Sequence, residues 1–194
     1  MAKTPLETAN QFKSSGPFTA SDAKRKGLTR VALYRLVKEG KIKKLSKGLF
    51  LHPNAKVDYD TLDFTIAQAT FGPKAVIGGL TALFEYRLIE QVPQQTWVLV
   101  PPTIRSKNRR YRVVRTRTSP RIGVDDHGSY RMTSIERTLI ESLRYAKKIG
   151  LSTAFKAIRT ALVEKKTTHA KLSKMAKDMD LLSLIARHWE AIES

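Results

Sequence analysis

The 194-residue chain sets 36 Lys and Arg against 17 Asp and Glu, a formal charge of +19, and contains no cysteine. Without cysteine, disulfides, Cys-ligated zinc, thiol catalysis and iron–sulfur clusters are all excluded. The charge points to a polyanion, nucleic acid or an anionic membrane face. No run nears the roughly 18 apolar residues of a spanning helix, and MAKTPLETANQF lacks a signal peptide's apolar core, so nucleic acid and a cytoplasmic location are the expectation.

Thr4-Pro5-Leu6-Glu7 reads as a helix start, with a capping Thr, a Pro at the first helical position and a Glu completing a capping box. That helix runs to about Lys13 and is ended by Ser14-Ser15-Gly16-Pro17. Thr19 caps a second helix, with Asp22 near the positive end of its dipole, and Gly27 closes it. Thr29 caps a third, in which Ala32, Leu33, Leu36 and Val37 form an apolar stripe at helical spacing. Arg30, Tyr34 and Lys38 lie on the opposite face with Arg35 beside them, and Gly40 stops the helix. A hairpin follows, Ile42–Leu45 and Gly48–Leu51 around Ser46-Lys47.

Helix, helix, helix, basic hairpin is the order of a winged helix-turn-helix, in which the third helix enters the major groove and the hairpin rests on the backbone or minor groove. Residues 1–56 hold 13 Lys or Arg against Glu7, Asp22 and Glu39, so this segment is expected to touch the anion. Arg30 and Arg35 suit bidentate contacts to guanine, Tyr34 a phosphate or base edge, and Lys43, Lys44 and Lys47 phosphate neutralisation. The alternative is a small helical domain with a solvated basic face.

His52–Lys56 reads as a linker, so the expected division is a winged helix-turn-helix over 1–56 and a larger mixed α/β domain over 57–194, ending in helices. The fold class is α+β. In the second part a helix is expected from Asp60 to Phe71, with Asp60 as cap. A short buried strand follows near Ala75–Gly79, then a helix over 80–88 and strands over 96–100 and 111–116. A second capping box at Thr133-Ser134-Ile135-Glu136 opens a helix to about Lys148, and two or three helices fill 152–192.

The run from Arg105 to Arg121 carries eight cations and no acid: Arg105, Lys107, Arg109, Arg110, Arg112, Arg115, Arg117 and Arg121. Its Arg bias suits forked phosphate or carboxylate binding, a second nucleic-acid surface or an acidic protein partner. A charged loop and edge strand kept soluble is the competing reading. Asp125-Asp126-His127 reads as a loop rather than a metal site, and no Ser/His/Asp set, phosphate loop or HExxH spacing occurs. Neither an enzyme nor a cofactor or metal is expected.

FTASDAKRKGLTRVALYRLVKEGKIKKLSKGLFLHP, then AVIGGLTALFEYRL, QVPQQTWVLVPP and MTSIERTLIESL, together resemble the AbiEi antitoxins of bacterial type IV toxin–antitoxin systems over about residues 15–145. The resemblance implies an N-terminal winged helix that represses its own operon at inverted repeats of double-stranded operator DNA. It also implies a C-terminal antitoxin domain that neutralises a cognate nucleotidyltransferase-like toxin, with or without direct contact. The matching DNA-contact positions are Thr29, Arg30, Tyr34, Arg35, Lys38, Lys43, Lys44 and Lys47. A stand-alone repressor with a sensing or dimerisation domain, or an RNA-binding protein, are the competing functions.

Overall fold

A computed structural model describes residues 3–193. The chain divides into two compact units, 1–72 and 73–194.

The N-terminal unit begins with α1 (Pro5–Asn10), whose capping box is complete: Thr4 Oγ1 accepts from Glu7 N–H, and Glu7 Oε2 accepts from Thr4 N–H at 2.7 Å. A second capping box, Thr19 with Asp22, starts α2 (Ala20–Arg25). Burial would raise the Asp22 carboxyl, but hydrogen bonds from Thr19 and the Arg25 guanidinium outweigh it and hold the group below its ordinary value. Thr29 Oγ1 accepts from Ala32 N–H and caps α3 (Arg30–Lys38). Leu33 and Leu36 are fully buried and Ala32 and Val37 pack beside them, as the stripe requires.

The hairpin comprises β2 (Lys43–Ser46) and β3 (Leu49–Leu51). Its turn lies at Lys47-Gly48 rather than Ser46-Lys47, because Gly48 takes the positive φ of 79° that the turn demands. An unforeseen strand, β1 (Phe18–Thr19), pairs antiparallel with β3 through Phe18 and Phe50. Helix α4 (Tyr59–Phe71) is capped by Asp58, not Asp60. It packs against β2 and β3, so the compact boundary falls at Gly72-Pro73 instead of 56/57. What read as a linker is ordered locally: His52 is buried and its Nδ1 accepts from Asn54 N–H at 3.1 Å.

The C-terminal unit is built on a mixed five-stranded sheet in the order β6-β5-β4-β8-β7. Its strands are β4 (Val76–Ile77), β5 (Thr96–Val100), β6 (Tyr111–Arg115), β7 (Val124–Asp126) and β8 (Arg131–Thr133). Strands β5 and β6 run parallel, as do β4 and β8. Asp125 and Asp126, read as loop, belong to β7, which pairs with β8. Helix α5 (Gly79–Glu85) follows β4, and Thr81 Oγ1 ties it to the sheet by accepting from Trp97 N–H at 2.9 Å.

Helix α6 (Ile135–Arg144) is capped by Ser134. Thr133 is committed to β8, and Glu136 accepts from Thr167 Oγ1, so the expected Thr133–Glu136 box does not form. Residues Arg137–Leu143 are all buried. The short α7 (Ala146–Ile149) is followed by α8 (Leu151–Val163), α9 (His169–Asp178) and α10 (Leu182–Glu193). Helix α6 packs against α5, α8, α9 and α10.

The glycines of AVIGG now have a physical reason. A Cβ on Gly78 would stand 2.7 Å from Leu99 Cδ1, and one on Gly79, where φ is +58°, 2.5 Å from Trp97 Cε3. Gly79→Ala therefore combines backbone strain with a clash against a buried indole. It should lower unfolding free energy by at least about 2 kcal/mol, read from urea denaturation.

Burial, reinforced by Lys13, lowers the His52 pKa below its ordinary 6.5. The unfolded chain takes up this proton at higher pH than the folded one. His52 therefore contributes stability that is complete above about 6.5 and lost as pH falls through the lower folded value. The denaturation midpoint should drop as pH falls below about 6.5, and His52→Gln should flatten that slope.

Candidate nucleic-acid interface

The apolar stripe of α3 fixes the opposite face outward. Thr29, Arg30, Tyr34, Arg35 and Lys38 are all exposed, as are Lys43, Lys44 and Lys47 on the hairpin. Tyr34 links the two. Its ring meets buried Phe50 of β3 edge-on at 5.7 Å, while the Arg30 guanidinium and the Lys44 ammonium each lie 5.8 Å from its centroid. Phe50 in turn approaches Phe18, which stacks on Phe12 at 3.8 Å. Arg35 pairs with Glu39 at 3.6 Å, but both side chains are largely solvated, so the pair is weak and readily exchanged for another anion.

Val31 escaped the sequence reading. It is 81% exposed, and the i, i+4, i+7 spacing to Arg35 and Lys38 places it on their face. An apolar residue so exposed on a basic face is the signal that would have identified it.

The Arg105–Arg121 run does not converge. Lys107 and Arg109 are exposed in the segment before β6, Arg110 stands over Tyr111, and Arg112 lies 5.8 Å from the Trp97 ring. Arg105 and Arg115 line one open cleft, and Arg115 and Arg117 line another together with Arg144 and Lys148. β6 is an edge strand, where exposed cations also deter strand addition. Among the described residues, no group of His, Asp or Glu could hold a metal, and no helix is long and apolar enough to cross a membrane.

Comparison with known families gives a match over α2, α3 and the hairpin. Residues 11–52 match the family described as "Transcriptional regulator, AbiEi antitoxin". That family is one of regulators and antitoxins, not an enzyme class. No curated protein sequence matches the chain. Among solved structures, the RV2827C protein from Mycobacterium tuberculosis is similar in fold, with a TM-score of 0.59 and 14% identity over 87% of this chain and 72% of that one.

The AbiEi match takes in all eight DNA-contact positions expected from the sequence, and the Arg-rich run lies outside it. Within the matched segment, core and surface should separate cleanly in stability. Phe50→Ala should cost about 3–5 kcal/mol. Arg35→Ala and Lys43→Ala should stay within about 0.5 kcal/mol of the wild type in the same urea titrations.

Proposed function

We propose that the protein is an antitoxin and transcriptional autorepressor that binds inverted repeats in its own promoter and neutralises a nucleotidyltransferase-like toxin. The observation that carries the DNA-binding half is the solvent-facing set Arg30, Val31, Tyr34, Arg35 and Lys38, flanked by Lys43 and Lys44 of the wing. A capped helix of this size enters the major groove. There Arg30 and Arg35 fork onto guanine edges and Val31 meets thymine methyls. Thr29, Lys38 and the wing lysines take phosphates and set the register. Tyr34, held by Phe50 and neighboured by Arg30 and Lys44, keeps reading helix and wing cations in step. The toxin half rests on the AbiEi match of residues 11–52 and on the sequence resemblance that extends beyond it.

Titrating operator and scrambled duplexes over a salt series tests this assignment. Lys43→Ala, Lys44→Ala or Lys47→Ala should weaken both duplexes alike and flatten the slope of log K against log salt by about 0.9 each. Arg30→Ala or Arg35→Ala should cost about 1–3 kcal/mol on operator alone and blur preference at one base pair. Equal losses on both duplexes for every variant would refute the division between positioning and reading. Co-expression with a nucleotidyltransferase-like product encoded beside this gene should relieve its toxicity; persistent toxicity would leave a stand-alone repressor.

A further inference from the structure

A cleft of about 210 Å³ in the C-terminal unit combines apolar walls, from Val76, Leu99 and Val100, with three cations, Lys74, Arg117 and Arg137. No carboxylate is found among the described residues that line it. It lies where the chain leaves the parallel strands β5 and β6, whose final residues Val100 and Arg115 are in register. Crevices outside the carboxyl ends of strands are where open α/β sheets place ligands. The volume is below that of clefts for drug-sized molecules, which start near roughly 300 Å³, so the occupant is small.

Arg137 is the unusual member. Its side chain is 1% exposed. Nη1 donates to the carbonyls of Ser119 and Ile122 at 2.9 and 2.6 Å, and Nη2 to Glu141 Oε1 at 3.3 Å. Nε–H finds no acceptor among the described residues, and neither does Glu141 Oε2 find a donor. Burial pushes the Glu141 carboxyl up, against the pull of Arg137. A buried charge left with an unmet donor is costly, and a nearby anion recovers part of that cost. The cleft also shares Pro102, Thr116 and Arg117 with a more open one carrying Arg115, Arg144 and Lys148. Their combined field draws anions toward the smaller cleft.

We propose that this cleft is a binding site for a small anion-headed molecule, a phosphate or carboxylate on a short apolar body, with Lys74 and Arg117 as its cationic partners and the buried Arg137 guanidinium adding its charge from behind the wall. The apolar walls take the body and the cations take the head. The site is independent of the DNA-binding reading, since its residues all lie in the C-terminal unit.

The test uses the full-length ¹⁵N-labelled protein, titrated at constant ionic strength with phenyl phosphate, benzoate or inorganic phosphate. Phenyl phosphate or benzoate should bind saturably with one-to-one stoichiometry and shift the amides of Val100, Thr116 and Thr118. The tighter of the two identifies the head group. Lys74→Ala and Arg117→Ala, both at exposed positions, should each weaken binding about tenfold, the loss of one charge-assisted contact. Arg109→Ala, outside the cleft, should leave it unchanged. The proposal is overturned if neither probe saturates, if inorganic phosphate binds as tightly as both, or if the two cleft variants bind like the wild type.

Discussion

Four aromatic rings govern where the cations of the N-terminal unit stand. Phe12 stacks on Phe18, Phe18 leans on Phe50, and Phe50 meets the edge of Tyr34. The first three are buried and the fourth is at the surface. This row joins the turn after α1 to β1, β3 and α3, so a shift in any of these would move the face that carries Arg30 and Lys44. Under the proposed DNA-binding function, rigid placement matters because forked hydrogen bonds to base edges tolerate little displacement. The hydrophobic contacts of the row thus do electrostatic work: they hold like charges side by side that would otherwise repel and spread.

That arrangement has a consequence for energetics. Cations gathered on α3 and the wing with few nearby carboxylates raise the free energy of the folded unit. A polyanion relieves this strain and releases its own condensed counterions. The Arg35–Glu39 pair is the exception, and its exposure keeps it loose enough to be exchanged. Such a basic face is costly alone and favourable when an anion covers it.

In the C-terminal unit charge is handled differently. The Arg-rich run is dispersed along an edge strand and its flanks, partly over aromatic rings and partly in open clefts. Its density in sequence does not become one surface, because alternate residues of β6 face opposite ways. Arg137 is sealed inside α6 with Glu141 one turn away. There the guanidinium ties Ser119 and Ile122, in the segment before β7, to the central helix through their carbonyls. The same group that organises the fold also leaves a buried positive charge at the cleft's wall.

The amino-acid sequence alone determined the N-terminal helices, their Thr caps, the stripe that buries Leu33 and Leu36, and therefore the outward direction of Arg30, Tyr34, Arg35 and Lys38. These features depend on neighbours three or four residues away, which a helix brings together without help from the rest of the chain. Tertiary structure alone decided the pairing of β1 with β3, the placement of α4 in the first unit, the enlistment of Thr133 and Asp125 into strands, and the burial of Arg137. Each of those rests on partners distant in sequence: Phe18 meets Phe50, and Arg137 reaches Ser119. Such contacts form only once the core has chosen its neighbours, so a two-residue strand or a sealed guanidinium leaves no local pattern to read.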